Sequence, residues 1–169
     1  SYFQEGLMMF REMRRKNQLL SKEETIAILQ NGTSGILAVL GDDDYPYTIP
    51  INYFYDNNKI YFHGAKSGHK IDAIKKHNKV SFCVIAHEEI VSEKLTTYFK
   101  SAVAFGTVRI VEDDAEKRSA IEKLTAKYAS EQSEQKRSEE ITRHLSVLGI
   151  IEMTIEHMTG KQALELTKK

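Results

Sequence analysis

Residues 47–65 read YTIPINYFYDNNKIYFHGA. Strand side chains alternate between faces. Tyr47, Ile49, Ile51, Tyr53 and Tyr55 therefore share one face, and Thr48, Pro50, Asn52 and Phe54 share the other. Asp56-Asn57-Asn58 has turn chemistry, and Lys59–Ala65 returns as the second arm of a hairpin. Pro50 has no amide hydrogen to give to a ladder, which sets its strand at an edge or a bulge. An exposed backbone edge of this kind is a place where a planar ligand or a partner subunit can dock.

Upstream, Ser21-Lys22-Glu23-Glu24 has the form of a capping box. The helix it opens runs through Leu29 and stops at Asn31-Gly32. Ile36–Leu40 is a short apolar run that predicts a buried strand, and Gly41–Asp44 turns the chain toward Tyr47. Downstream, Ser67 is placed to cap a helix over Gly68 to His77, and Val80–Ile85 predicts a fourth strand. Tyr98–Val111 predicts a long strand bent at Gly106. Asp113 or Asp114 caps a helix with Ile121, Leu124 and Tyr128 at helical spacing. Residues 129–140 are polar enough to read as a solvated loop or a frayed helix start, and Val147–His157 predicts a closing strand.

The first three strands follow one another without intervening helices, unlike βαβ winding. The predicted fold is mainly β: a small closed antiparallel barrel with peripheral helices. Residues 13–169 are expected to form one domain. Residues 1–12 are set apart as an N-terminal arm whose opening, SYFQEGL, can be a cloning remnant.

Charge and composition narrow the function. The 24 Lys and Arg cancel the 24 Asp and Glu, which argues against a polycation gripping nucleic acid through its phosphates. The single cysteine, Cys83, excludes an internal disulfide framework and favours a reducing compartment, so the cytoplasm is expected. No apolar run is long enough for a membrane helix.

Against that neutral background one segment stands out. Between Lys59 and Lys79 lie six lysines, three histidines and one acid, Asp72. The segment combines a strand end, a glycine turn and a helix N-terminus, where free amides and the helix dipole favour an anion. Ser67 offers a hydroxyl, His69 and Lys70 offer charge, and a phosphate is the natural occupant. The other lysines here read equally as a solvated helix face. Neither GxGxxG nor GxxxxGK[ST] occurs. His63 has no companion at metal-ligand spacing, so no metal is expected. Cys83 alternates with Phe82 and Val84 and reads as buried and inert. Ser81 and Ser101, in strands, read as ligand donors or as ordinary barrel residues.

Taken in order, 47–53 (YTIPINY), 60–70 (IYFHGAKSGHK), 80–84 (VSFCV), 99–106 (FKSAVAFG) and 155–161 (IEHMTGK) resemble the pyridoxamine 5′-phosphate oxidase-related FMN-binding proteins, most of all their nitroimidazole-reductase branch. The resemblance implies a split β-barrel that forms a homodimer, with FMN in clefts along the subunit interface. It implies that Thr48, Ile49, Pro50, Ile51 and Asn52 run along the flavin ring through their backbone, with Phe62 and His63 beside it. Ser67, His69 and Lys70 would hold the phosphate, and Ser101 would reach the cofactor near the interface. His63 matches a strand histidine that faces flavin and substrate, and is the candidate catalytic residue. His69-Lys70 departs from the arginine–lysine pair of the oxidase proper, whose substrate arginines also lack clear counterparts.

The expected activity is a reductase that passes electrons from reduced FMN, with a nicotinamide donor, to a small planar acceptor such as a nitroaromatic. The alternative is a non-catalytic module that stores or senses flavin or haem. An oligonucleotide-binding barrel is a third and weaker reading.

Overall fold

The computed structural model describes residues 10–167, so the opening SYFQEGL of the N-terminal arm lies outside the described residues. Six strands, β1 (Ser34–Leu40), β2 (Pro46–Asp56), β3 (Lys59–Ala65), β4 (Lys79–Val91), β5 (Thr96–Val111) and β6 (Leu148–Gln162), close into a barrel in the order β1-β2-β3-β6-β5-β4. All neighbouring pairs are antiparallel. Four α-helices accompany them among the described residues: α1 (Lys22–Asn31), α2 (His69–Lys76), α3 (Asp114–Tyr128) and α4 (Glu134–His144).

Period-2 patterning decides what fills the barrel. The odd-numbered residues of β2 turn inward, with Tyr53 fully buried, while Thr48, Pro50 and Asn52 face out and are exposed. Phe82 stands at the centre, edge-on to Tyr53 at 4.8 Å and to Phe62 at 5.1 Å. These edge-to-face contacts add to the gain from burying the rings. The predicted capping box opens α1: the Ser21 side chain accepts from the Glu24 amide, and the Glu24 carboxylate accepts from the Ser21 amide. α1 contacts β2, β4, β5 and β6 and sends Leu29 into the core, plugging one end of the barrel. Its last turn is tied down by the Tyr53 hydroxyl, which donates to the Leu29 carbonyl at 2.6 Å.

The long strand bends where expected. Register shifts between Phe105 and Gly106, and a Cβ at Gly106 would run into the Thr154 carbonyl. Only glycine allows that close approach of backbones.

Several boundaries differ from the sequence expectation. Residues 129–133 do form a loop, but from Glu134 on the chain is a full helix: Ser133 caps α4, and Ile141 packs with Ile121, Leu124 and Ile150 in a second apolar cluster. So few apolar residues leave little sequence signal, and tertiary packing stabilises the helix. Together α3 and α4 cover the outer face of β3 and β6. β4 runs past the predicted end at Ile85, and β5 starts before Tyr98: the two pair as far as Val91↔Thr96, past a bulge between Ile85 and His87. β6 runs beyond Thr159-Gly160 to Gln162 because β5 continues beside it. Ser67 does not cap α2. The cap position is Gly68, at φ 129°, and no side chain bonds the first turn. β1 is buried on one face only: Leu37 and Val39 point inward while Ile36 remains 39% exposed.

Candidate functional site

The barrel is split along one seam. β1 pairs with β2 from Pro46 to Asn52, whereas β3 pairs with β2 only from Tyr53 to Asp56. β6 accompanies β3 along its whole length, so past that point β3 keeps only this partner, with His63↔Ile150, Gly64↔Gly149 and Ala65↔Leu148. Residues 46–52 and 63–65 therefore diverge as two strand edges with a cleft between them.

The direction of the backbone groups follows from the turn. Asp56↔Lys59 closes a two-residue hairpin, in which Asn57 and Asn58 have φ 45° and 66°, a primed turn suited to asparagine. The closing pair exchanges hydrogen bonds, and along antiparallel strands such pairs alternate. Asp56 and Phe54 therefore address β3. Tyr53 faces the other way: its amide donates to the Tyr128 hydroxyl at 3.0 Å, and the same hydroxyl lies 2.6 Å from its carbonyl. The alternation aims the N–H and C=O of Thr48 and Asn52, and the C=O of Pro50, into the cleft. Pro50 lacks its donor at a place where no strand asks for one. Opposite, His63 and Ala65 present their backbone groups to the same space.

At the end of the cleft the chain folds back through Gly68 into α2. The Lys70 ammonium is brought against the β3 backbone at Gly64, where a Cβ would sit 3.1 Å from Nζ. Gly64 thus leaves the room the ammonium uses. His63 stands beside it with an accessible ring. Partial burial, and then the Lys70 charge, lower its pKa below the ordinary 6.5, so the imidazole is neutral at pH 7. Burial also lowers Lys70 from its ordinary value.

The structure brings some expected residues together and places others elsewhere. His63, Lys70 and the Thr48–Asn52 edge border one cleft. Ile49 and Ile51 do not border it: their backbone groups address Leu37 and Gly35 of β1, and their side chains pack toward the core. Phe62 is in the barrel interior, so its ring is not beside the cleft. Ser67 is exposed and caps nothing. His69 stacks on Tyr47, with ring centroids 4.2 Å apart, and its Nε2 lies 3.7 Å from an Asp42 carboxylate oxygen. It braces α2 against the β1–β2 turn instead of entering the corner.

Ser101 lies level with Ile85 and Lys161. The β5 residue level with His63, through Ile150, is Val111. Val111 and Ser101 are ten positions apart on β5, about 33 Å of extended chain. Within one chain Ser101 does not meet the corner.

Sequence reasoning missed an outward row of aligned residues, Pro50–Ile36–Cys83–Val103–Thr159, running across five strands. Ile85 and Phe105 extend this face, 59% and 37% exposed. Cys83 therefore points out of the barrel, half-buried, and not into the core as its apolar neighbours suggested; burial raises its thiol pKa. The available signal was β1 itself, apolar at both parities, as in a strand covered on both sides. Among the described residues no three His, Cys, Asp or Glu groups gather as metal ligands, and no helix is long and apolar enough to cross a membrane.

A family model described as pyridoxamine 5′-phosphate oxidase matches residues 21–162. None of the curated proteins matches the chain. Among solved structures, the chain is similar to a candidate 5-nitroimidazole antibiotic resistance protein of Bacteroides thetaiotaomicron, with 20% identity and TM-score 0.72 over 90% of this chain and 96% of that one. It is also similar to a FAD-binding protein of Mesorhizobium loti, with 21% identity and TM-score 0.60 over 86% and 97% of the two chains. The FAD and haem binding protein of Mycobacterium smegmatis matches with 19% identity and TM-score 0.70 over 88% and 74%.

Proposed function

The chain belongs to the pyridoxamine 5′-phosphate oxidase family, and from that premise we propose that it binds the FMN half of a flavin in the cleft between β2 and β3 and works as a reductase. One observation carries the reading. Two diverging strand edges, their backbone donors and acceptors unpaired among the described residues, flank a cleft that ends at an ammonium seated against a bare glycine. A flat heterocycle with a polar rim satisfies such edges, and a phosphate satisfies Lys70. The pocket fits the group: Lys70 and the free first-turn amides of α2 hold the phosphate, and Thr48, Pro50 and Asn52 hold the ring edge.

A bound flavin supplies the redox chemistry, while the protein binds, orients and excludes water. His63 is neutral, so its ring offers one N–H donor and one lone pair to an acceptor lying over the cleft. The acceptor class is a small planar molecule such as a nitroaromatic, with a reduced nicotinamide as donor. The relatives named for FAD binding and for nitroimidazole resistance support this reading.

The active form is a homodimer, with the cleft completed by the partner across the Ile36–Cys83–Val103 row. Ser101 belongs to that face, and its distance from His63 in one chain is what a shared site requires. A single free cysteine accords with a cytoplasmic setting.

The test is spectroscopic. Purified protein mixed with FMN should quench flavin fluorescence, and reduced nicotinamide should bleach the bound flavin under anaerobic conditions. Lys70→Ala should weaken FMN binding roughly tenfold or more, the worth of a charge-assisted hydrogen bond. Binding without bleaching removes the reductase and leaves a flavin store; a Soret band from added haem would favour haem handling.

A further inference from the structure

His69 is held at three places around the β1–β2 turn and does not enter the corner. Its ring stacks on Tyr47 at 4.2 Å, inclined by 19°, and Tyr47 packs in turn against the barrel core. Its Nε2 lies 3.7 Å from an Asp42 carboxylate oxygen. Gly41 leaves room for the ring, since a Cβ there would come 3.2 Å from the same nitrogen. These contacts fall where α2 needs them. The helix opens at Gly68, and no side chain caps its first turn. Its first backbone bond runs from the Asp72 amide to the Gly68 carbonyl at 3.0 Å. Ile71 and Ile74 bury the body of the helix, and His69 ties down its amide end.

Lys70 is the next residue, and neighbouring helical side chains diverge by about 100°. One turn of backbone therefore carries both: His69 toward Asp42, and Lys70 toward Gly64. Whatever fixes the His69 ring fixes the rotation of that turn, and with it the Lys70 ammonium and the free amides. We infer that His69 is a positioning residue for the anion corner, held by Tyr47 and Asp42, and that it touches no anion itself. The brace stands on the geometry alone; its effect on a ligand rests on the flavin reading above. Asp42 thereby acquires an effect opposite to that of its charge. An acid near an anion site ordinarily repels the anion, whereas an acid that holds the positioning ring strengthens the grip.

Equilibrium titration of the intact protein with FMN, and with riboflavin as the phosphate-free control, tests this. Asp42 is exposed, so Asp42→Ala leaves the fold intact, which circular dichroism checks. It should lower FMN affinity about threefold, and His69→Ala about tenfold. His69→Phe keeps a ring on Tyr47 and should fall between wild type and His69→Ala. Riboflavin affinity should stay within about twofold in all three variants. Asp42→Ala that binds FMN as well as wild type, or better, overturns the brace. So does equal loss on both flavins, or His69→Phe no better than His69→Ala. If wild type binds neither flavin, the flavin reading fails separately. In that case, or if riboflavin alone does not bind, amide hydrogen exchange decides the brace. Asp42→Ala should speed exchange of the Asp72 amide about threefold, and an unchanged rate overturns it.

Discussion

At the scale of single residues, His63 joins strand geometry to chemistry. Its ring is accessible, yet partial burial and the nearby Lys70 keep it neutral. Its folded-state pKa lies below the unfolded value, so in the window between them the unfolded chain binds more protons. Stability therefore rises with pH through that window and is lost on acidification from about 6.5 downward. Denaturant unfolding of wild type and His63→Gln at several pH values should show a shallower acid-side slope in the variant. The difference should be a few tenths of a kcal/mol, because solvent screens an accessible group. Lys70→Ala should move the His63 imidazole titration upward, followed by NMR; an unmoved midpoint would mean the two side chains do not sense each other. His63 and Lys70 were legible beforehand because histidine and lysine beside a glycine turn in a neutral protein carry their own signal. The exposed, non-capping Ser67 was not, since the positive φ at Gly68 starts the helix one residue later than the pattern implies.

At the scale of elements, the seam depends on what ends the β1–β2 pairing. The register stops at Ser34↔Asn52, and α3 takes over. The Tyr128 hydroxyl accepts from the Tyr53 amide and lies close to the Tyr53 and Thr33 carbonyls, while Lys127 donates to the Gly32 and Tyr53 carbonyls. A helix end thus substitutes for a missing strand partner. Tyr128→Phe leaves the Tyr53 amide without an acceptor and should cost about 1–3 kcal/mol, read by thermal or denaturant unfolding. FMN affinity should change little, since the cleft edge begins one residue earlier. The seam was half visible in the sequence, because Pro50 marks a donor-free edge whatever surrounds it. The staple from Tyr128 was not, for residues 75 apart in the chain meet only once α3 has docked.

At the scale of the whole molecule, α3 and α4 cover the β3 and β6 flank of the barrel; α1 and α2 touch β4, β5 and β1, but among the described residues the outward row of that flank stays open. Ile36, Ile85 and Phe105 stand on that open flank, a contiguous apolar surface of the sort that marks an interface. Light scattering at micromolar concentration should give twice the chain mass. Val103→Glu, at the middle of the aligned row, should yield monomers that keep the barrel's circular dichroism and lose most of their FMN affinity. A monomeric wild type that still binds FMN tightly would refute the shared cleft.

Local chemistry alone settled the alternation of β2, the asparagine turn, the box that opens α1, the bend at Gly106 and the basic run around Lys70. Each depends on neighbours a few residues away, and period, capping and turn preference act at that range. Folding decided where β3 leaves β2, which way Cys83 points, that α4 exists, and that Tyr128 meets Tyr53. Those outcomes turn on burial and register between segments far apart in the chain, where no residue's own preference reaches.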